Sequence, residues 1–315
     1  MKSNNKQFEL RTKTQLFADT LFFGRDGEER IGDVLNKSVN NSQFLILGIS
    51  EAIGPFANYG RVGAELAFSA FLDFFLSTPY QNQSVDIIGN IVFIGSEPED
   101  VHAASALVEE LDEFVLNILT EFVGTNQVPI LIGGGHNNAL PAMRWANQFK
   151  NCNTVINVDA HTDCRKPNRR HSGNSFSFAL QEGVIKNYHA IGIHEFSITP
   201  FMKSFLSEYA VNFTTFESYF TGRENLLDDI SNICSKSEEN IGLEIDLDSI
   251  ANMPSSASSP SGWNLDEIRM LVRSFNPNQT AYLNLTEGAV YDAKDRRTLG
   301  KALNYLCLDF IRVRE

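Results

Sequence analysis

Asp159, His161 and Asp163 stand two residues apart at the end of the apolar run Val155-Ile156-Asn157-Val158. In an extended chain alternate side chains point to one face, so these three would crowd together. Polar groups clustered at the end of a buried strand are costly to desolvate and repel one another unless a cation pairs them. The same spacing recurs in Asp246 and Asp248, at the end of Ile241-Gly242-Leu243-Glu244-Ile245. His136 follows the run Val128–Ile132 and the turn Gly133-Gly134-Gly135. Four carboxylates and two imidazoles suit a borderline-hard divalent ion such as Mn2+ and are poor for a thiolate-type zinc site. Six such groups exceed what one ion with open positions requires. Two ions about 3.5–4 Å apart, sharing carboxylates and a hydroxide, would use them all.

Each piece also has a plainer reading. His136 alone reads as a hydrogen-bonded loop histidine, and Asp246 with Asp248 as a helix cap and a turn residue. The three glycines suggest a phosphate-cradling turn, but no Lys-Ser/Thr follows and the G-x-G-x-x-G spacing is absent. Taken together the groups favour a metal site.

The elements that must position them can be read from periodicity. Apolar runs predict eight strands: 44–49, 85–94, 128–132, 154–158, 188–193, 211–216, 241–246 and 280–285. Helical spacing falls between them, notably at 62–76, 104–122 and 298–313, with Glu109, Glu110, Asp112 and Glu113 read as a solvated face. The alternation predicts an α/β fold: a mostly parallel sheet of about eight strands between two helical layers. In such sheets ligands collect beyond the carboxyl ends of the strands, where the three motifs would converge. Residues 1–42 read as an N-terminal extension with one helix, and 43–315 as a single catalytic domain without linker or repeat. Ser255 to Gly262, directly after the acidic pair, reads as a functional loop.

The 315 residues carry a formal net charge of −13, which disfavours a nucleic-acid-binding surface. Met1 to Thr14 lacks the apolar core of a signal peptide, and no stretch is long enough to span a membrane. Cys152, Cys164, Cys234 and Cys307 lie far apart, which suits a reducing compartment; the expected location is the cytoplasm.

These motifs resemble the signatures of the ureohydrolase superfamily, which includes arginase, agmatinase and formimidoylglutamase. Gly133-Gly134-Gly135-His136 resembles its Gly-Gly-x-His motif, Asp159-Ala160-His161-Thr162-Asp163 its Asp-Ala-His-x-Asp, and Asp246-Leu247-Asp248 its Asp-x-Asp. The resemblance implies an arginase-like three-layer sheet and two Mn2+ held by His136, Asp159, His161, Asp163, Asp246 and Asp248. It implies a homo-oligomer and a Glu287 that faces the substrate's amidine or guanidine group; Asp163, as a ligand close to the hydroxide, would pass its proton to the leaving amine. Arg165 and Phe176 depart from the arginase pattern, while Ser172-Gly173-Asn174 is kept. Together with Gly135 and the Ser255–Gly262 loop, they look more like formimidoylglutamase, which splits N-formimidoyl-L-glutamate into formamide and L-glutamate.

A small acidic substrate also fits the cations Arg165, Lys166, Arg169 and Arg170, because guanidinium groups pair carboxylates bidentately. With the resemblance, Arg165, Ser172, Asn174 and Phe176 are the expected substrate contacts. With Phe176 where arginases carry a proton-shuttling His, either His171 or His194 would substitute or solvent would suffice. The rival readings are another ureohydrolase, a non-catalytic subunit of the same fold, and a thiol-dependent hydrolase built on Cys164 and His161.

Overall fold

Runs rich in β-branched and aromatic residues, punctuated by Gly, Asn and Ser, form strands because such side chains pack well on a pleated surface. The structure, a computed structural model, describes residues 7–19, 27–37, 42–222, 225–237 and 239–312. Among the described residues nine strands form one sheet: β1 (Phe8–Thr12), β2 (Phe44–Ser50), β3 (Val85–Phe93), β4 (Val128–Ile132), β5 (Thr154–Val158), β6 (Asn187–Ile193), β7 (Asn212–Thr215), β8 (Ile241–Asp246) and β9 (Thr280–Thr286). Their order is β1-β3-β2-β4-β9-β8-β5-β6-β7. Every pairing is parallel except β1 with β3.

The ninth strand corrects the expectation of eight. Phe8-Glu9-Leu10-Arg11-Thr12, assigned above to the extension, lies in the sheet and pairs from Phe8↔Phe93 to Thr12↔Gly89. Its alternation of apolar and charged residues is the period-two mark of a half-exposed edge strand. Two short helices, Lys13–Asp19 and Ile31–Asn36, follow it where one was expected; residues 1–6, 20–26 and 38–41 of that stretch lie outside the described residues. The C-terminal helix runs Ala293–Ile311, starting five residues earlier than the periodicity indicated, and the expected end at Val313 lies outside the described residues.

Alternation within each strand builds two cores, one per sheet face. Ile241, Leu243 and Ile245 of β8 face one core, with Phe68, Phe71, Leu271, Leu303 and Phe310 from the helices on that side. Leu131, Val155 and Tyr282 face the other, with Leu111, Val115, Met143 and Trp145. Burying each such side chain contributes about 1.5–3 kcal/mol, enough to hold helices on both faces.

One helix face differs from its expectation. In Val101–Phe122, Asp112 is buried rather than solvated, and it accepts from Arg170 Nε at 2.7 Å and Nη2 at 3.1 Å. Helical spacing explains this: Asp112 shares the inward stripe of Val108, Val115 and Leu119.

Among the described residues no helix is long and apolar enough to cross a membrane.

Candidate metal centre

Four adjacent central strands, β4-β9-β8-β5, deliver the chemistry at their carboxyl ends. His136 comes from β4, Glu287 from β9, Asp246 and Asp248 from β8, and Asp159, His161 and Asp163 from β5. The glycine turn after β4 serves geometry. Gly133 and Gly134 adopt φ of 92° and 71°, and a Cβ on Gly135 would lie 2.4 Å from Pro55. Gly134 O accepts from Glu287 N at 3.0 Å and Thr286 Oγ at 2.9 Å, which ties the turn to β9.

All six expected ligands come together, in two groups that share Asp159. One is His136, Asp159, Asp163 and Asp246, all buried; the other is Asp159, His161 and Asp248. Within each group the ligand atoms lie within 4.8 Å of one another. His136 Nδ1 sits 2.9 Å from Asp163 Oδ2, 3.2 Å from Asp246 Oδ2 and 3.4 Å from Asp159 Oδ2. It hydrogen-bonds to none of them, and Asp248 Oδ1 is likewise buried without a partner. Buried polar atoms without partners are rare, and a convergent set of N and O donors fits a divalent cation.

The electrostatics point the same way. Asp248 and Asp159, against the opposing effect of burial, push His161 up to about 12. Burial, with Asp248 and Asp159, pushes Asp246 well above the usual carboxylate range. Burial and Asp159 raise Asp163. Burial works against both members of a further pair, but His136 and His161 hold Asp159 low, and the surrounding carboxylates hold His136 high. So much negative charge retains protons when it has no other cation. Asp163 and Glu287 also adopt left-handed backbone, φ 45° and 62°, a strain that concentrates at functional sites.

Beneath the cluster lies a polar layer that strand reading missed. Glu244 is fully buried, accepts from Tyr282 Oη and Asn284 Nδ2 at 2.7 Å each, and lies 3.4 Å from His136 Nε2. It backs the ring edge opposite the ligand atom, so it sets the ring's orientation. The run 241–245 reads as apolar, yet the alternation Gly242, Glu244, Asp246 would have placed Glu244 on the site's face. Asn157 Nδ2 similarly donates to Asp159 Oδ2 at 3.0 Å. Glu51, at the end of β2, accepts from Gly135 N at 2.8 Å and Asn138 Nδ2 at 2.8 Å, bracing the glycine turn. Glu244→Gln should weaken Mn2+ binding about 10- to 100-fold, measured by calorimetry; unchanged affinity would remove Glu244 from this role.

Above the cluster, Glu287 Oε1 accepts from His136 N at 2.9 Å and Oε2 from Ser256 Oγ at 3.4 Å, so the Ser255–Gly262 loop does reach the site. Burial, reinforced by Asp163 and Asp248, pushes Glu287 up to about 8. Arg165 is exposed at the rim, and no side-chain ion pair engages it among the described residues. Ser172 Oγ accepts from Asn58 Nδ2 at 3.4 Å.

Two expected contacts, Asn174 and Phe176, and the expected shuttle His171 have different surroundings. Asn174 is a brace: Oδ1 accepts from Arg170 Nη1 and His171 N, and Nδ2 donates to the carbonyls of Lys166 and Arg169. That engages all its polar capacity. Phe176 is fully buried, stacked on Tyr188 at 4.3 Å and edge-on to His136 at 5.3 Å, so it forms the wall behind a ligand. His171 Nδ1 accepts from Gly173 N at 3.1 Å. Burial, with Arg169, Arg165 and Arg170 nearby, pushes His171 down to about 3, so its ring is neutral near pH 7 and holds no proton to donate from Nδ1.

His194 belongs to neither ligand group; its ring pairs with Glu217 at 3.4 Å, and its backbone N–H donates to Ala160 O at 3.0 Å. Arg170 is committed to Asp112, and Arg169 donates to Ala57 O. Burial pushes the Cys164 thiol well above its ordinary range, with Asp163 adding to the rise, which disfavours the thiolate a nucleophile needs.

Comparison with known proteins agrees with this geometry. Formimidoylglutamase of Staphylococcus aureus (strain bovine RF122 / ET3-1) is 27% identical over 183 residues, 57% of this chain and 56% of that protein. The aligned part thus spans little more than half of that relative's length. Formiminoglutamase of Trypanosoma cruzi, solved with Mn2+, superposes with a TM-score of 0.71 and 20% identity over 91% of this chain and 100% of the other. Formimidoylglutamase from Bacillus subtilis gives 0.74 and 17% over 95% and 96%. These two likenesses establish the fold. Residues 58–307, well over half the chain, match the model of the Arginase family. With the motifs and the fold in agreement, the chain belongs to the arginase family.

Proposed function

We propose that the protein is a binuclear-manganese hydrolase that cleaves the C–N bond of a linear amidine, N-formimidoyl-L-glutamate, to L-glutamate and formamide. The observation that carries this reading is the pair of ligand groups sharing Asp159, beneath a buried Glu287 and beside an exposed Arg165 that has no ion pair among the described residues. His136, Asp159, Asp163 and Asp246 would hold one Mn2+, and Asp159, His161 and Asp248 the second. Such a pair supplies a nucleophilic hydroxide at neutral pH. Staphylococcal, trypanosomal and Bacillus relatives bearing this activity in their names support the choice of substrate.

The chain's own groups bind, orient and move protons. Glu287, fixed by His136 N–H and Ser256, faces the cationic amidinium, whose charge offsets the cost of ionising a buried carboxyl. As water adds to the formimidoyl carbon, an Asp163 oxygen takes its proton and passes it to the glutamate nitrogen. That C–N bond then breaks, leaving formamide and L-glutamate. Arg165 holds a substrate carboxylate; Phe176 and Asn174 act from behind, fixing His136 and the 166–174 loop.

Arg165→Ala should raise KM for formimidoylglutamate about 10- to 100-fold, the loss of one charge-assisted contact, with a smaller change in kcat. An unchanged KM would favour a substrate without an acidic tail.

A further inference from the structure

Arg61 is a rim cation to which the reading above gives no role. It is exposed, and its guanidinium carbon lies 3.9 Å over the ring of Tyr291. No carboxylate among the described residues pairs with it. Stacking uses only the flat face of a guanidinium, so the N–H donors around its edge stay available.

The loop that carries Arg61 touches the segments that flank the metal centre. At one end Asn58 Nδ2 donates to Ser172 Oγ, and a Cβ on Gly173 would lie 2.8 Å from Asn58 Nδ2 and 3.0 Å from Arg165 Cδ. In the middle, a Cβ on Gly60 would lie 3.5 Å from Ser256 Oγ, the hydroxyl that donates to Glu287. At the other end, Gly63 O accepts from Val290 N at 3.1 Å, and a Cβ on Gly63 would lie 3.0 Å from Tyr291. One loop therefore spans from Arg165 to the chain that leaves Glu287, with Arg61 over the latter.

Charge balance gives this placement a purpose. Glu287 answers the amidinium, so the two carboxylates at the other end of the substrate need cations of their own, and one arginine answers only one carboxylate. We propose that Arg61 is a specificity-determining residue which, with Arg165, reads the two carboxylates of a dianionic amidine. This rests on the amidine-hydrolase reading and deepens it. A purely structural Arg61, pinning the loop onto Tyr291, would instead affect all substrates alike.

The test compares the Mn2+-loaded wild type with Arg61→Ala, Arg61→Lys and Arg165→Ala. Substrates are N-formimidoyl-L-glutamate and 4-(formimidoylamino)butyrate, which carries the same amidine but one carboxylate. Binding of L-glutamate and of 4-aminobutyrate is followed by calorimetry. Arg61→Ala should raise KM for the dicarboxylate about 10- to 100-fold, more than for the monocarboxylate, with kcat changing less. Arg61→Lys should recover part of the loss. Equal effects on both substrates, or none on either, would overturn the proposal. If neither amidine is hydrolysed, the functional reading fails and calorimetry decides Arg61 separately. A wild-type preference for L-glutamate that Arg61→Ala abolishes then sustains the clamp, and its absence refutes it.

Discussion

Asp159→Asn is expected to abolish turnover and strip the protein of metal. Asp159 is the one residue shared by the two ligand groups, and it is fully buried. Asparagine keeps the size of the side chain and one oxygen but removes the negative charge that both groups use. Its Nδ2 would also face His136, which would still lie among three carboxylates, Asp163, Asp246 and Glu244. Substitution of residues that only orient ligands costs about 10- to 100-fold in metal affinity or activity. Loss of a shared ligand should therefore exceed about 100-fold in kcat/KM, with metal content, measured by elemental analysis, falling in parallel. Circular dichroism of the variant would check that the fold survives. A folded Asp159→Asn protein that keeps two ions and full activity would remove Asp159 from the centre.

The second large effect is on stability. Arg170 and Asp112 form a buried bidentate pair, and Arg170 also donates to the Asn137 carbonyl at 2.9 Å and to Asn174 Oδ1 at 2.9 Å. Arg170→Met leaves the Asp112 carboxylate buried without its partner. Breaking a buried pair in this way costs about 3–5 kcal/mol. The denaturant midpoint should fall accordingly, and adding Asp112→Leu should recover part of the loss, since the uncompensated charge is then gone. A single Arg170→Met variant with the wild-type midpoint would contradict this.

The six candidate ligands were legible because strand geometry is simple. A spacing of two, read at a strand end, places side chains on one face, and parallel α/β sheets gather such ends at one edge. The sheet was legible for the same reason, except β1, whose five residues sit amid polar sequence and pair with a strand eighty residues away. Asp112 was hidden by its charged neighbours, although helical spacing from Val108 places it inward. Glu244 was hidden by an apolar run. Asn174, Phe176 and His171 lie where a substrate contact would be sought, but their engagements with Arg170, Tyr188 and Gly173 depend on how the loop closes. No local spacing encodes that closure. Arg165 and Arg61 differ from their neighbours in the same way: Arg170 pairs with Asp112 and Arg169 donates to Ala57 O, whereas neither Arg165 nor Arg61, which stacks on Tyr291, has an ion pair among the described residues.

The central claim is that the cluster hydrolyses an acidic amidine with Mn2+. Its most direct test is to present the Mn2+-loaded protein with formimidoylglutamate, arginine, agmatine and guanidinobutyrate, following the release of formamide, ammonia or urea. The expected result is formamide from formimidoylglutamate, abolished by chelation and restored by Mn2+, with little or no product from the other three. Release of urea from a guanidine substrate in preference, or no product from any of the four, would contradict it.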